Sequence, residues 1–389
     1  MKQCVFLASI EGDLLIHAGI SSLIKEIFPE QKTVLILPRY TRVYKRADDY
    51  RQFFDNVIEV EGINFTLNPK GLVHNFIAIQ RIMKHISQFH NSTFFLFDVY
   101  NLVELTVYSF IKHHKEAQLV TVTAFEGDEI NFNNLELVVK GTLTKSIYSL
   151  MLIGKLFYEY KVKNSENAGL NYFKGECDLQ LSINKSKCRN THKEIVSELP
   201  YPALFLTDKV NNLFDRYKIL KPMSVIVFVE SQIAHWTENY WEKTNQLIEM
   251  LEHRGVTIYV KDHPNCAQSD VDRLTSKNIN VLSKEISAEM LFINNAHNIV
   301  GVFGHGSTSL ITASWLMISA YDTSKYFAFN ANILNKFSAF LTLGNDIKTI
   351  TNRTELNALE FIKRNGDDSS LVLNKKIWEN ALSSRIYKS

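Results

Sequence analysis

Short apolar runs alternate with longer stretches of helical spacing along most of the chain. In the first half, residues 5–10, 33–37, 56–60, 93–97 and 118–123 are apolar and often β-branched, which predicts strands. Between them, residues 14–27, 72–89 and 103–113 carry apolar side chains three and four positions apart, which predicts helices. The pattern restarts with strands predicted at 224–229, 256–260, 278–282, 299–303 and 316–321, and a helix at 237–253. Several strand runs are apolar at nearly every position and do not alternate, the mark of parallel strands buried on both faces. Repeated strand–helix–strand units imply parallel sheets with right-handed crossovers.

The two halves are separated by an irregular stretch. Residues 164–191 are rich in Asn, Lys, Ser and Gly and hold no period. Leu199-Pro200-Tyr201-Pro202 follows, then a polar helical segment and Lys221-Pro222. The expected division is therefore two α/β Rossmann-like domains, 1–221 and 222–389, facing across a cleft. The tail, 375–388, has helical spacing (Ile377, Trp378, Leu382) and is expected to cross back onto the first domain.

Composition narrows the function classes. A length of 389 residues suits two domains, and 46% hydrophobic with 22% charged residues is an ordinary globular balance. A net charge of +2 gives no reason to expect nucleic acid as a partner. The four cysteines, Cys4, Cys177, Cys188 and Cys266, form no CxxC pair, so no zinc ribbon or dithiol centre is predicted. The N-terminal apolar run is short and meets Glu11 and Asp13, so it reads as a first strand. No run reaches the ~18 apolar residues of a spanning helix, and a cytoplasmic location is expected.

Candidate chemistry gathers in loops that follow predicted strands. Lys261-Asp262-His263-Pro264-Asn265 offers an imidazole on a Pro-stopped turn. Gly304-His305-Gly306-Ser307-Thr308-Ser309 offers close backbone approach and three hydroxyls at a helix start. In a parallel sheet the carboxyl ends of the strands border the ligand crevice, so the two loops together predict an anion site, with phosphate the expected anion. In the first half, Ala124-Phe125-Glu126-Gly127-Asp128-Glu129 follows the strand at 118–123 and supplies carboxylates suited to a general base.

In order and spacing, the acidic-Gly loop, His263-Pro264 and Ser307-Thr308-Ser309 resemble the motifs of the bacterial sialyltransferases and polysialyltransferases. Those are inverting GT-B-type enzymes that use CMP-activated sialic acid. The resemblance implies that His263 contacts the donor phosphate and assists its departure, and that Pro264 shapes the nucleotide pocket. It implies that Ser307 and Thr308, with Ser309 as a third donor, hold the phosphate, and that Glu289 holds the donor ribose. The family has two acids before its glycine, whereas this chain has Phe125-Glu126-Gly127 and then Asp128. Glu126 is then the base in register, and Asp128 takes the role if the loop is shifted.

The activity implied is transfer of sialic acid or a related nonulosonic acid from its CMP donor to a hydroxyl of a surface glycan, in capsule or lipooligosaccharide synthesis. No cofactor or metal is expected beyond the CMP-sugar substrate, and the glycan acceptor is the other partner. Two alternatives remain open: a CDP-glycerol or CDP-ribitol phosphotransferase, and a non-catalytic nucleotide-sugar-binding protein. The phosphotransferases usually use a second histidine in the first domain, for which His17 is the nearest candidate.

Each motif also has a plainer explanation. Gly-x-Gly-Ser-Thr before an apolar run is an ordinary helix start with a hydroxyl cap. Asp128 and Glu129 suit a solvated loop. Arg39, Tyr40 and Arg42 suit a charged surface or an acidic acceptor, and Glu230-Ser231-Gln232 with His235 and Trp236 suits the edge of the donor site. Residues 145–163 read as a core or interdomain helix, or, flanked by lysines, as a peripheral contact with the inner face of the membrane.

Overall fold

The computed structural model describes residues 3–8, 11–39, 47–63, 68–96, 102–123, 178–183, 195–196, 199–201, 204, 217–231, 234, 237–263, 266, 270–329, 334, 341, 346–362 and 368–385. The chain forms two compact units, Met1–Val210 with Val372–Ser389, and Asn211–Leu371. This differs from a division into 1–221 and 222–389 in two respects. Lys221 lies inside the second unit, and the C-terminal segment is grouped with the first.

The first unit contains β1 (Cys4–Leu7), α1 (Glu11–Ile27), β2 (Thr33–Pro38), β3 (Asn56–Val60), α2 (Pro69–Ile86), β4 (Thr93–Leu96), α3 (Leu102–His113), β5 (Gln118–Thr123), β6 (Leu179–Ser182) and β7 (Ile195–Val196). Its sheet runs β3-β2-β1-β4-β5-β6-β7, with every pair parallel. β1, β2 and β4 are buried at every position. That is why they read as continuous apolar runs. α2 starts with Asn68 accepting the Lys70 N–H and with Pro69 in its first turn, where the missing N–H costs nothing. Ala78, Ile79, Ile82 and Ile86 form its buried stripe.

The second unit contains β8 (Ser224–Val229), α4 (Tyr240–Glu252), β9 (Thr257–Asp262), β10 (Ile279–Leu282), α5 (Ala288–Asn295), β11 (Ile299–Gly304), α6 (Thr308–Trp315), β12 (Ala320–Asp322), β13 (Lys348–Thr349) and α7 (Arg353–Asn357). Its sheet runs β10-β9-β8-β11-β12-β13, again all parallel. One apolar cluster joins Val225, Val227 and Val229 to Leu247, Ile248 and Leu251 of α4, and the other joins Ile226 and Phe228 to Leu291, Phe292 and Leu310. Successive β8 residues thus feed opposite faces of the sheet. Each unit is a Rossmann-like α/β domain, the GT-B-type class the alternation predicts.

Two strand expectations need correction. Residues 164–191 are not irregular throughout, because Leu179–Ser182 forms β6 and pairs with β5. The run 316–321 is not one strand. Leu316 caps α6, Met317 turns the chain at φ 59°, and the strand begins only at Ala320.

The last helix, α8 (Asp368–Arg385), belongs to the first unit. Trp378 is fully buried and donates its indole N–H to the Pro200 carbonyl at 2.8 Å. Lys375 pairs with Glu26 of α1. Trp378→Ala would leave a large cavity and an orphaned carbonyl, so it is expected to destabilise the first unit by about 3–5 kcal/mol. Urea unfolding followed by a probe in that unit checks this. A midpoint unchanged from wild type would mean that α8 is not docked in solution.

Candidate functional site

In the second unit the strand order reverses between β8 and β11, where chain connections leave in opposite directions. Ligands of open parallel sheets bind at the carboxyl ends of the strands beside such a switch point. Four strand ends there carry polar residues: Glu230 and Ser231 after β8, Asp262 and His263 at the end of β9, His305 to Ser307 after β11, and Thr323 and Ser324 after β12.

Two hydrogen-bonded brackets shape this edge. In the first, Asp262 is buried and its carboxylate accepts hydrogen bonds from both neighbouring turns. The Ser231 N–H (3.2 Å) and the His263 N–H (2.8 Å) reach Oδ1, and the Ser231 hydroxyl (2.6 Å) reaches Oδ2. The Ser231 oxygen in turn accepts the Asp270 N–H at 3.1 Å. The turn after β8 is thereby tied to the turn carrying His263. His263 is partly exposed and begins the loop, and its carbonyl accepts the Cys266 N–H at 3.0 Å. Lys284 donates to the Cys266 carbonyl at 2.8 Å, which joins the loop after β10 to the same group.

The second bracket crosses the switch point. The Glu230 N–H donates to the Tyr240 hydroxyl oxygen (2.9 Å), and that hydroxyl donates to Nε2 of His305 (3.1 Å). Nδ1–H of His305 donates to the Thr323 hydroxyl oxygen (3.0 Å), and that hydroxyl donates to the Gly304 carbonyl (2.9 Å). The run of donors fixes the tautomer of His305. Burial lowers its ring pKa to about 3, so it is a neutral bridge at physiological pH. The rings of Phe327 (4.4 Å) and Phe329 (5.3 Å) enclose it.

Gly306 follows with φ +55°, a left-handed conformation that favours glycine. Its N–H is held by Asp322 Oδ1 at 3.1 Å, and the same oxygen accepts from the Ser324 N–H and hydroxyl. The next residue, Ser307, is the N-cap of α6, and its hydroxyl oxygen accepts the Ser309 N–H at 3.2 Å. Thr308 is exposed at the first helical position. The plain helix-start explanation is thus correct for Ser307. It does not compete with anion binding, because the first amides and hydroxyls of such a helix form the anion-binding end.

Glu289 lies in the first turn of α5, where its carboxylate Oε2 accepts the Ser287 hydroxyl at 2.6 Å. A carboxylate there is favoured by the helix dipole. His263, Glu289 and Ser307–Ser309 therefore all belong to the carboxyl edge of one sheet. Pro264, Glu126 and Asp128 lie outside the described residues, as do Tyr40, Arg42, Gln232, His235, Trp236 and the segment 145–163. Arg39 is engaged by Glu59, with Nη2 and Oε2 3.0 Å apart, and Arg51 also reaches Glu59.

Asp262, Tyr240, His305 and Thr323 are the residues to which sequence reasoning gave no role at the site, whereas Glu230 belongs to a loop it set at the edge of the donor site. Burial and the neighbouring Asp262 carboxylate raise the Glu230 carboxyl to about 7. A raised carboxyl destabilises the fold once ionised, so this stability is present at low pH and is lost as pH rises from the usual 4.5 through 7. Glu230→Gln is expected to match wild type near pH 4 and to exceed it at pH 8 by on the order of 2 kcal/mol. Urea midpoints at the two pH values measure the difference, and equal midpoints at pH 8 would mean that Glu230 is not held in this environment.

Residues 205–318 match the family model of alpha-2,8-polysialyltransferase (POLYST), a stretch that holds His263, Glu289 and Ser307–Ser309. The match supports a polysialyltransferase-like bacterial sialyltransferase and, at the coarser level, a glycosyltransferase. No curated protein matches the chain. Among solved structures, UDP-GlcNAc 2-epimerase from Neisseria meningitidis, bound to UDP-GlcNAc, is similar with a TM-score of 0.55 at 9% identity, covering 100% of both chains. UDP-GlcNAc 2-epimerase from Methanocaldococcus jannaschii gives 0.53 at 11% identity, also covering 100% of both. A putative UDP-N-acetylglucosamine 2-epimerase from Listeria monocytogenes gives 0.53 at 10% identity, covering 99% of this chain and 91% of that one. At these identities the likeness is one of fold.

Proposed function

We propose that the chain transfers sialic acid or a related nonulosonic acid from a CMP donor to a hydroxyl of a surface glycan, with inversion. The observation that carries this reading is the shared position of His263 and Ser307–Ser309 at the carboxyl ends of β9 and β11, the two strands that flank β8. The family match over the same residues supports it.

In this reading Ser307, Thr308 and Ser309, with the first amides of α6, bind the donor phosphate, and Glu289 binds the ribose. His263 and Pro264 complete the nucleotide pocket. Glu126, or Asp128 in its place, takes the proton of the acceptor hydroxyl. The new glycosidic bond forms as the bond from the anomeric carbon to the phosphate oxygen breaks, and CMP leaves with that electron pair. His263 and the hydroxyls stabilise the charge that grows on the phosphate. Fixed donors meet this need, so the reaction as drawn requires no metal. The enzyme would act in the cytoplasm, at the inner face of the membrane, in capsule or lipooligosaccharide synthesis. Among the described residues, no helix is long and apolar enough to cross a membrane.

The phosphotransferase alternative is weaker. His17 is fully buried against Phe6, and burial lowers its ring pKa to about 3, so it is not poised for exchange with a substrate.

Calorimetric titration with CMP, UMP and GMP tests the donor class, with CMP expected to bind tightest. A preference for UMP or GMP would overturn the reading. Ser307→Ala and Thr308→Ala should each weaken CMP binding by about tenfold or more, since a lost hydrogen bond to a charged group is worth roughly 1.5–3 kcal/mol. Unchanged affinity in both would leave the loop with its capping role alone.

A further inference from the structure

Glu230 stands out from the network around it. Its backbone N–H is taken by Tyr240, and the next residue is held by Asp262 through both its amide and its hydroxyl. The turn is fixed on both sides, yet the Glu230 carboxyl has no hydrogen-bond partner among the described residues. It lies beside the switch point, between the His263 and Ser307 loops, and is half-buried. The ionisable groups set against it are Asp262 of β9 and Tyr240 of α4, with His305 behind Tyr240 and His263 next to Asp262. Burial disfavours a charge on Glu230, and the nearby Asp262 carboxylate disfavours it further. A carboxyl kept neutral in this way is a hydrogen-bond donor.

We propose that Glu230 presents its carboxyl, as the neutral acid, to an anionic oxygen of the nucleotide-sugar donor and is therefore a binding residue of the donor site. The inference rests on the donor reading above and deepens it. Two oxygens of a CMP-nonulosonic acid have the required chemistry, one on the phosphate and one on the sugar carboxylate. When Glu230 ionises, the donated hydrogen bond becomes a repulsion between two anions. Affinity for the donor should then fall as pH rises.

The test is calorimetric titration at pH 6.5 and 8.5 of wild type, Glu230→Gln and Glu230→Ala. The probes are cytidine 5′-(methyl phosphate) and a non-transferable CMP-3-fluoro-sialic acid. Both are phosphodiesters, so neither titrates in this range as CMP itself does. Glutamine keeps a donor at all pH values. Glu230→Gln is expected to bind like wild type at pH 6.5, and roughly 20-fold tighter than wild type at pH 8.5, as follows from a carboxyl ionising near 7. Glu230→Ala should be weaker than Glu230→Gln at both. His263 is present in all three proteins, so its own titration cancels in the comparison. A difference seen with both probes assigns the contact to the phosphate, and a difference seen only with the sialic acid compound assigns it to the carboxylate. Parallel curves for wild type and Glu230→Gln, with binding intact, overturn the inference alone. Weaker binding by Glu230→Gln at pH 8.5 also overturns it, because the carboxylate would then be the required form. If wild type binds neither probe at either pH, the donor reading itself falls, and this inference with it.

Discussion

His263→Ala is expected to lower turnover with CMP-sialic acid by about 100-fold or more, the range for a positioned acid or a donor to a developing anion. The fold should survive the change. Asp262 holds this residue through its backbone N–H, and its carbonyl holds the Cys266 N–H, two backbone anchors that the substitution keeps. The loss should appear mainly in kcat, because the imidazole acts most strongly when charge collects on the departing phosphate. Single-turnover assays with saturating donor separate this from a binding defect. Turnover near wild type in a folded variant would remove His263 from the mechanism, however well placed it is at the end of β9.

An equally large effect is expected on the acceptor side, with a different signature. Glu126→Gln preserves shape and removes the proton-accepting charge. Transfer should fall about 100-fold or more while CMP affinity stays near wild type. Asp128→Asn should have a much smaller effect if Glu126 is in register. The reverse ranking would assign the base to Asp128. Indifference to both changes would mean that the reaction does not use this loop, and the binding-protein and phosphotransferase alternatives would gain.

The central strands β8, β9 and β11 of the second unit were legible because burial on both faces leaves an unbroken apolar run, as in Ser224–Val229. β6 was not, for the opposite reason. Its four residues, Leu179-Gln180-Leu181-Ser182, place buried polar side chains at every other position inside a polar stretch. The slip at 316–321 has a backbone cause, since no apolar pattern signals the left-handed turn at Met317. At the site, His263 and Ser307 could be picked out because Pro, Gly and clustered hydroxyls mark them locally. The Tyr240–His305–Thr323 bridge was hidden, because its members lie 65 and 18 residues apart and meet only after the sheet forms. The one available signal was a histidine between two glycines directly after a buried strand. Asp262 was visible but read as part of a loop, whereas it closes β9 and binds the neighbouring turn.

The return of α8 to the first unit bears on how the protein is made. Trp378 fills a place beside Pro200 that stays empty until the ribosome has translated all of residues 211–371. The second unit, by contrast, is one uninterrupted segment and can close as soon as it emerges. Synthesis order and folding order should therefore run in opposite directions, with the second unit maturing while the first-made unit still waits for α8. Messages truncated before codon 378 would yield a chain whose second unit is sound and whose first unit is open to proteases.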